Sequence, residues 1–153
     1  MKIPSEEPER LLHTLADFRY ELRLFLLFSE GAAQEAGLQA QQHQLLLQVA
    51  GATDGTPVTI AYAAHRLGLK HNSTVELVDR SEKEDLIERT VDKDDKRRAI
   101  LRLTRKGRQA FLKMASVHEQ WIDHMFQGLS DQRIEELMTM LGEIRVSIEA
   151  HDI

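Results

Sequence analysis

Apolar residues recur every three or four positions through most of the chain, which is the signature of helices with one buried side. Over residues 7–31, Leu11, Leu15, Phe18, Leu22 and Phe25 share a helix face. Residues 24–28 are apolar without a break. A helix that is apolar all round needs cover on every side, from other elements or from another subunit. Gly31 and Gly37 bracket a short connection, and a second helix is expected over 40–50 with Leu45, Leu46 and Val49 inward. Residues 51–57 read Gly-Ala-Thr-Asp-Gly-Thr-Pro, a loop by composition.

Two short helices then follow closely. Thr59 is a good N-cap, and Ile60, Ala63, Ala64 and Leu67 keep helical spacing up to Gly68, a natural C′ residue. The next helix starts near His71 or Asn72 and runs to about Glu84, with Thr74, Leu77, Val78 and Ser81 on its inner face. Two helices joined by a tight turn containing glycine form a helix-turn-helix. The period then shortens. Residues 86–91 and 98–104 are β-prone and flank the polar turn 92–96, which predicts a hairpin with a charged tip. Ala99, Leu101 and Leu103 fall on one side of its second strand.

Thr104 can cap a long helix to about Gln127, striped by Phe111, Met114, His118, Trp121, Ile122 and Met125. After Gly128, Ser130 can cap a last helix to about Ala150, striped by Ile134, Leu137, Met138, Leu141, Ile144 and Ile148. The predicted fold is mainly α with one small β-hairpin.

At 153 residues, 42% hydrophobic and 29% charged, the chain suits one globular domain, or one domain with dimerising extensions. Its formal net charge is −5, which as a bulk figure argues against a nucleic-acid partner. The distribution reverses that. Residues 58–107 carry 12 Lys/Arg against 9 Asp/Glu, a balance of +3, and the rest carries −8. Within residues 96–108, seven of 13 are Lys or Arg and none is acidic. A helix-turn-helix beside a basic hairpin has the electrostatic footprint of a winged-helix DNA-binding module. The plainer reading of that basic run is a solvated face.

The chain has no cysteine, which excludes disulfides, thiolate catalysis and a cysteine redox sensor. Its seven histidines include no pair at i, i+3 or i, i+4; the closest, His65/His71 and His118/His124, are six apart. Such spacing does not share a helix face, so no metal site and no cofactor are expected. No apolar run approaches the roughly 18 residues of a membrane span, and the acidic start, with no apolar core, does not read as a signal peptide. A cytoplasmic, non-enzymatic protein is the expectation. A small all-α enzyme using histidine and carboxylates is the alternative, but no catalytic constellation supports it.

Residues 38–107 resemble the core of the MarR (multiple-antibiotic-resistance regulator) family. The resemblance lies in Leu67-Gly-Leu69, Val75-Glu-Leu-Val-Asp-Arg80 and Leu86-Ile-Glu-Arg89. Its most specific part is Asp92-x-x-Asp95-x-Arg97 followed by Leu101-x-Leu103-Thr104-x-x-Gly107, the family's wing signature. The chain departs from the usual pattern at Ser81 (commonly leucine), Asp85 (commonly glycine), Lys93 (often proline) and His43 (often aromatic).

The resemblance implies a winged helix-turn-helix DNA-binding domain at 38–107, with dimerisation helices at 7–37 and 108–153. It implies a homodimeric transcription regulator of double-stranded, pseudo-palindromic DNA, commonly a repressor released by a small ligand. A winged-helix protein-interaction module that has lost DNA binding is the alternative, which the acidic Glu76, Asp79, Glu82, Glu84 and Asp85 keep open. Helix 72–84 should enter the major groove N-terminus first, bringing Lys70, His71, Asn72, Ser73, Glu76 and Arg80 near bases or phosphates. Asn reads adenine and Glu accepts from cytosine N4, although Glu76 can equally stay solvated or internally paired, and Asn72 and Ser73 can simply cap the helix.

Arg97 matches the family's wing arginine, which reaches toward the minor groove, and Asp95 matches its orienting partner. Lys93, Lys96, Arg98 and Lys106 are read as phosphate contacts or solvated charge. The family's effector pocket lies between the dimerisation helices and the winged helix. Its candidates here are Arg19, Arg23, His43, His118 and Trp121: an arginine fork for a carboxylate and rings for stacking. The competing reading makes Trp121 and His118 ordinary packing residues, and the two arginines surface residues.

Overall fold

The computed structural model describes residues 8–35 and 37–151; the side chains at 8, 32, 117, 118, 120–122, 124 and 125 lie outside the described set. The element order is α1 (Pro8–Glu35), α2 (Ala40–Ala50), α3 (Ile60–Leu67), α4 (His71–Lys83), β1 (Ile87–Val91), β2 (Ala99–Leu103), α5 (Arg105–Phe126) and α6 (Asp131–Glu149). This is a mainly helical winged helix-turn-helix with one two-stranded antiparallel hairpin. The described residues fall into two compact units, divided between Met114 and Ala115. α1 belongs with the winged helix in the first.

The helix ends show why the elements stop where they do. α1 does not end at Gly31. An isolated glycine costs a helix only about 1 kcal/mol, and nothing lies within 4 Å of where its Cβ would stand. The helix continues to Glu35 and is closed by Gly37 at φ +76°, with Leu38 N–H donating to the Ala33 carbonyl at 3.0 Å. α3 closes the same way at Gly68, φ +63°, with Leu69 N–H on the Ala64 carbonyl at 3.0 Å. α4 repeats the device with a non-glycine residue. Asp85 sits at φ +58° and Leu86 N–H donates to the Ser81 carbonyl at 2.8 Å. Aspartate tolerates this left-handed conformation better than most side chains. The expected start of the first helix at Glu7 lies outside the described residues.

The core of the first unit gathers Leu38, Leu45, Leu46, Val58, Ala63, Leu77, Val78, Leu86, Ile87, Leu101 and Met114. Burying each large aliphatic side chain contributes about 1.5–3 kcal/mol. Thr74, Leu77, Val78 and Ser81 form the buried side of α4 as their spacing predicts. Ser81 replaces bulk with a hydrogen bond, its Oγ donating to the Leu77 carbonyl at 2.9 Å. α2 buries more than its apolar residues: Gln42 and His43 are 2% and 1% exposed. The hairpin pairs Ile87 with Leu103 and Val91 with Ala99, and Leu101 N–H donates to the Val58 carbonyl at 2.8 Å, tying the hairpin to the segment before α3.

The start of α5 is locked to the end of α4. Thr104 accepts from Gly107 N–H at 2.9 Å, and its hydroxyl donates to the Asp85 carbonyl. A Cβ on Gly107 would stand 1.8 Å from the Leu86 carbonyl oxygen. That contact is the physical reason for a glycine at this point of the wing signature. Lys106 Nζ adds a bond to the Glu84 carbonyl at 2.7 Å, so this lysine is not spare charge.

Candidate nucleic-acid interface

The inner side of α4 is filled by core residues, so helical geometry puts Asn72, Glu76, Asp79 and Lys83 on the opposite, outward side. Lys70 is the N-cap residue and makes no side-chain capping bond. Its carbonyl is the first acceptor of the helix, taking Thr74 N–H and Thr74 Oγ1 at 3.0 and 3.1 Å. Neither Asn72 nor Ser73 is the capping residue. Lys70, His71, Asn72, Ser73 and Glu76 are all exposed. An uncapped N-terminal turn presents backbone N–H donors and the positive end of the helix dipole, a combination suited to anions. Arg80, at the other end of α4, leans back to Gln41 on α2 at 3.4 Å.

The wing tip is built by two aspartates. Asp92 Oδ1 accepts from Asp94 N–H at 2.9 Å, and its Oδ2 pairs with Arg98 Nη2 at 2.6 Å. Asp95 Oδ1 accepts from both N–H and Nε–H of Arg97, at 3.0 and 3.2 Å. Asp92 N–H donates to the Arg98 carbonyl at 3.0 Å and closes the turn. Both carboxyls titrate below the usual aspartate value. For Asp92 the main cause is the backbone N–H of Asp94, and for Asp95 it is the Arg97 side chain.

The arrangement separates residues that look alike in sequence. The Arg97 side chain is 91% exposed, although it is tethered through Nε to Asp95. Its guanidinium is aimed but open to a further partner. Arg98 is turned to Asp92 and serves the tip itself. Lys93 and Lys96 are exposed on the turn.

Arg89 on β1 was missed as a site residue. Its Nη2 donates to Asp79 Oδ1 at 2.7 Å and its Nη1 to Glu82, so the hairpin grips the recognition-helix side of the fold directly. Only the alignment of charged residues on two different elements could have signalled it.

The five candidates for a ligand pocket are not brought together by what is described. Arg19 and Arg23 are exposed on α1, and His43 is buried in α2. The side chains of His118 and Trp121 lie outside the described residues. Among the described residues no group of three or more His, Asp or Glu can hold a metal ion, and no helix is long and apolar enough to cross a membrane.

Residues 36–98, which span α2 to the wing tip, match the model of the MarR family. This winged-helix segment is similar to that family. Part of the chain also aligns with the HTH-type transcriptional regulator BilQ of Clostridium symbiosum, 38% identical over 65 residues. That match spans 42% of this chain and 45% of the relative, less than half of either. Over nearly the whole chain the similarity is one of fold. The transcriptional regulator BldR of Sulfolobus solfataricus superposes with a TM-score of 0.70 at 21% identity, covering 93% of this chain and 99% of that one. MepR of S. aureus, in a complex with DNA, superposes with a TM-score of 0.70 at 19% identity, over 86% and 93% of the two chains. At these identities the likeness is one of fold alone.

Proposed function

We propose that the chain is a homodimeric transcription regulator that binds a pseudo-palindromic DNA site sequence-specifically. The observation that carries the reading is one surface. The open N-terminal turn of α4 and the exposed, Asp95-tethered Arg97 are the two groups a winged helix needs, one for the major groove and one for the adjacent backbone or minor groove. Asn72, Ser73 and Glu76 are the base-reading candidates. Lys70, His71, Lys93 and Lys96 contribute phosphate contacts, which position the protein without reading sequence. Asp95 contributes by aiming Arg97.

Support for the dimer comes from apolar surface. Leu15, Leu26 and Leu27 on α1 are 55%, 48% and 58% exposed in the single chain, and Met138, Val146 and Ile148 on α6 are 62%, 59% and 53% exposed. Exposed apolar surface on this scale marks an interaction site, and a second copy is the occupant that the family architecture supplies. In that dimer, residues 7–37 and 108–153 form the interface and 38–107 the DNA-binding domain. Two recognition helices then lie about one DNA turn apart, ~34–36 Å.

Repression, and release by a small aromatic or carboxylate-bearing ligand, complete the reading; Arg19 and Arg23 are exposed on α1 and suited to a carboxylate. The protein acts on DNA in the cytoplasm.

The test is fluorescence anisotropy with labelled duplexes from upstream of the chain's own gene, at two salt concentrations. Binding should weaken as salt rises, since each neutralised phosphate releases a counterion. Arg97→Ala should weaken it by about tenfold at low salt, on the order of one lost groove contact. If no upstream fragment binds at low salt, the protein-interaction reading takes its place. Unchanged affinity of Arg97→Ala at both salt concentrations removes this residue from the mechanism.

A further inference from the structure

The outward side of α4 is acidic where a DNA-reading helix is normally neutral or basic. Glu76 and Asp79 lie on it, and Glu82 lies on its flank. Each carboxylate near a phosphate backbone costs affinity, because the duplex carries dense negative charge and interactions within about 10 Å are poorly screened. Asp79 and Glu82 are answered from outside the helix. Arg89, on β1, reaches both with a single guanidinium: Nη2 to Asp79 Oδ1 at 2.7 Å, and Nη1 to Glu82. The Arg89 side chain is 27% exposed, against 47% for Asp79, so the cation lies deeper than the carboxylate it covers.

From this arrangement we infer that Arg89 is a charge-masking, positioning residue. By pairing with Asp79 and Glu82 it halves the negative charge that these two positions of the recognition helix present to DNA. It contacts no base; it acts through the two carboxylates. The inference rests on the DNA-binding reading above. It differs from a purely mechanical clamp in one consequence. A clamp needs both of its halves, whereas a mask is needed only while the acids are there.

The double variant Asp79→Asn with Glu82→Gln, with Arg89 kept, separates the two. Masking predicts DNA binding at least as tight as wild type, and a few-fold tighter at low salt, because the Arg89 charge is then unopposed. The gain should shrink at high salt. Arg89→Gln alone should weaken binding by about three- to tenfold at low salt. Adding the two acid substitutions to Arg89→Gln should return affinity close to wild type.

Weaker binding by the double variant overturns the inference, as does a folded triple variant that stays as weak as Arg89→Gln. Circular dichroism melting establishes which variants fold. If Arg89→Gln does not fold, the double variant decides alone, since its substitutions are at solvent-accessible positions. A wild-type protein that binds no DNA overturns the DNA-binding reading itself. A wild-type protein that binds, beside a weakened double variant, overturns only the masking.

Discussion

The first unit's winged helix and the chain's two outer helices use apolar residues in opposite ways. In the winged helix, Leu45, Leu46 and Leu77 are fully buried, and the hairpin covers the core through Ile87 and Leu101. In α1 and α6 apolar residues also recur at helical spacing, yet α6 buries no residue and Leu27 on α1 remains 58% exposed. Periodicity reports that a face must be covered. It does not report whether the cover comes from the same chain. The winged helix closes most of its core by itself because α2, α3, α4 and the hairpin converge within some 70 residues, and Met114 of α5 completes it. The outer helices carry faces that this chain alone leaves open.

The comparison can be broken where the effect is largest. Leu77→Ala should destabilise the fold by about 2–5 kcal/mol, the range for emptying a packed leucine site. Chemical denaturation should show that loss at every protein concentration. Leu27→Asp should act on assembly instead, shifting the oligomeric state toward monomer in sedimentation or light scattering and removing the concentration dependence of stability that a dimer shows. A Leu27→Asp protein that keeps the wild-type assembly state ends the argument that α1 is an interface.

A smaller effect tests how α5 joins the winged helix. Gly107→Ala places a methyl 1.8 Å from the Leu86 carbonyl, so backbone must move. Overpacking of this kind costs about 1–3 kcal/mol. An alanine variant with an unchanged melting temperature shows that the approach is not enforced.

The smallest effect is at the wing tip and is read by pH. The carboxyls of Asp92 and Asp95 titrate below their ordinary value of 3.8, so they favour the folded tip in their charged form. Their contribution is present above that value and is lost as pH falls through the lower folded values. Amide exchange at Asp94 and Arg97 should therefore accelerate in that acid range ahead of the core amides. Protection that persists at the tip until the core itself unfolds removes the aspartates as its organisers.

Much of the site was legible in the residues. Thr74, Leu77, Val78 and Ser81 announced the inner side of the recognition helix, and with it the outward side, because a 3.6-residue period leaves little choice. Asp92, Asp95 and Arg97 announced the wing through a spacing particular to one family. Gln42 and His43 were not legible as buried residues, since polar side chains on an apolar face give no periodic signal. Arg98 and Lys106 read as phosphate contacts or solvated charge, and spacing gave no sign of the partners the fold adds, Asp92 for one and the Glu84 carbonyl for the other. Gly31 read as a stop but α1 passes through it, because the true terminator is the left-handed Gly37.

The sequence by itself determined the order of elements, the buried side of each helix in the winged core and the concentration of basic charge around the hairpin. These depend on neighbours a few positions away, where backbone geometry dictates which residues share a face. Only the tertiary structure decided which charge meets which. That Arg98 turns to Asp92 while Arg97 stays almost fully exposed, and that Arg89 reaches two acids on another element, depends on groups brought together in space rather than along the chain.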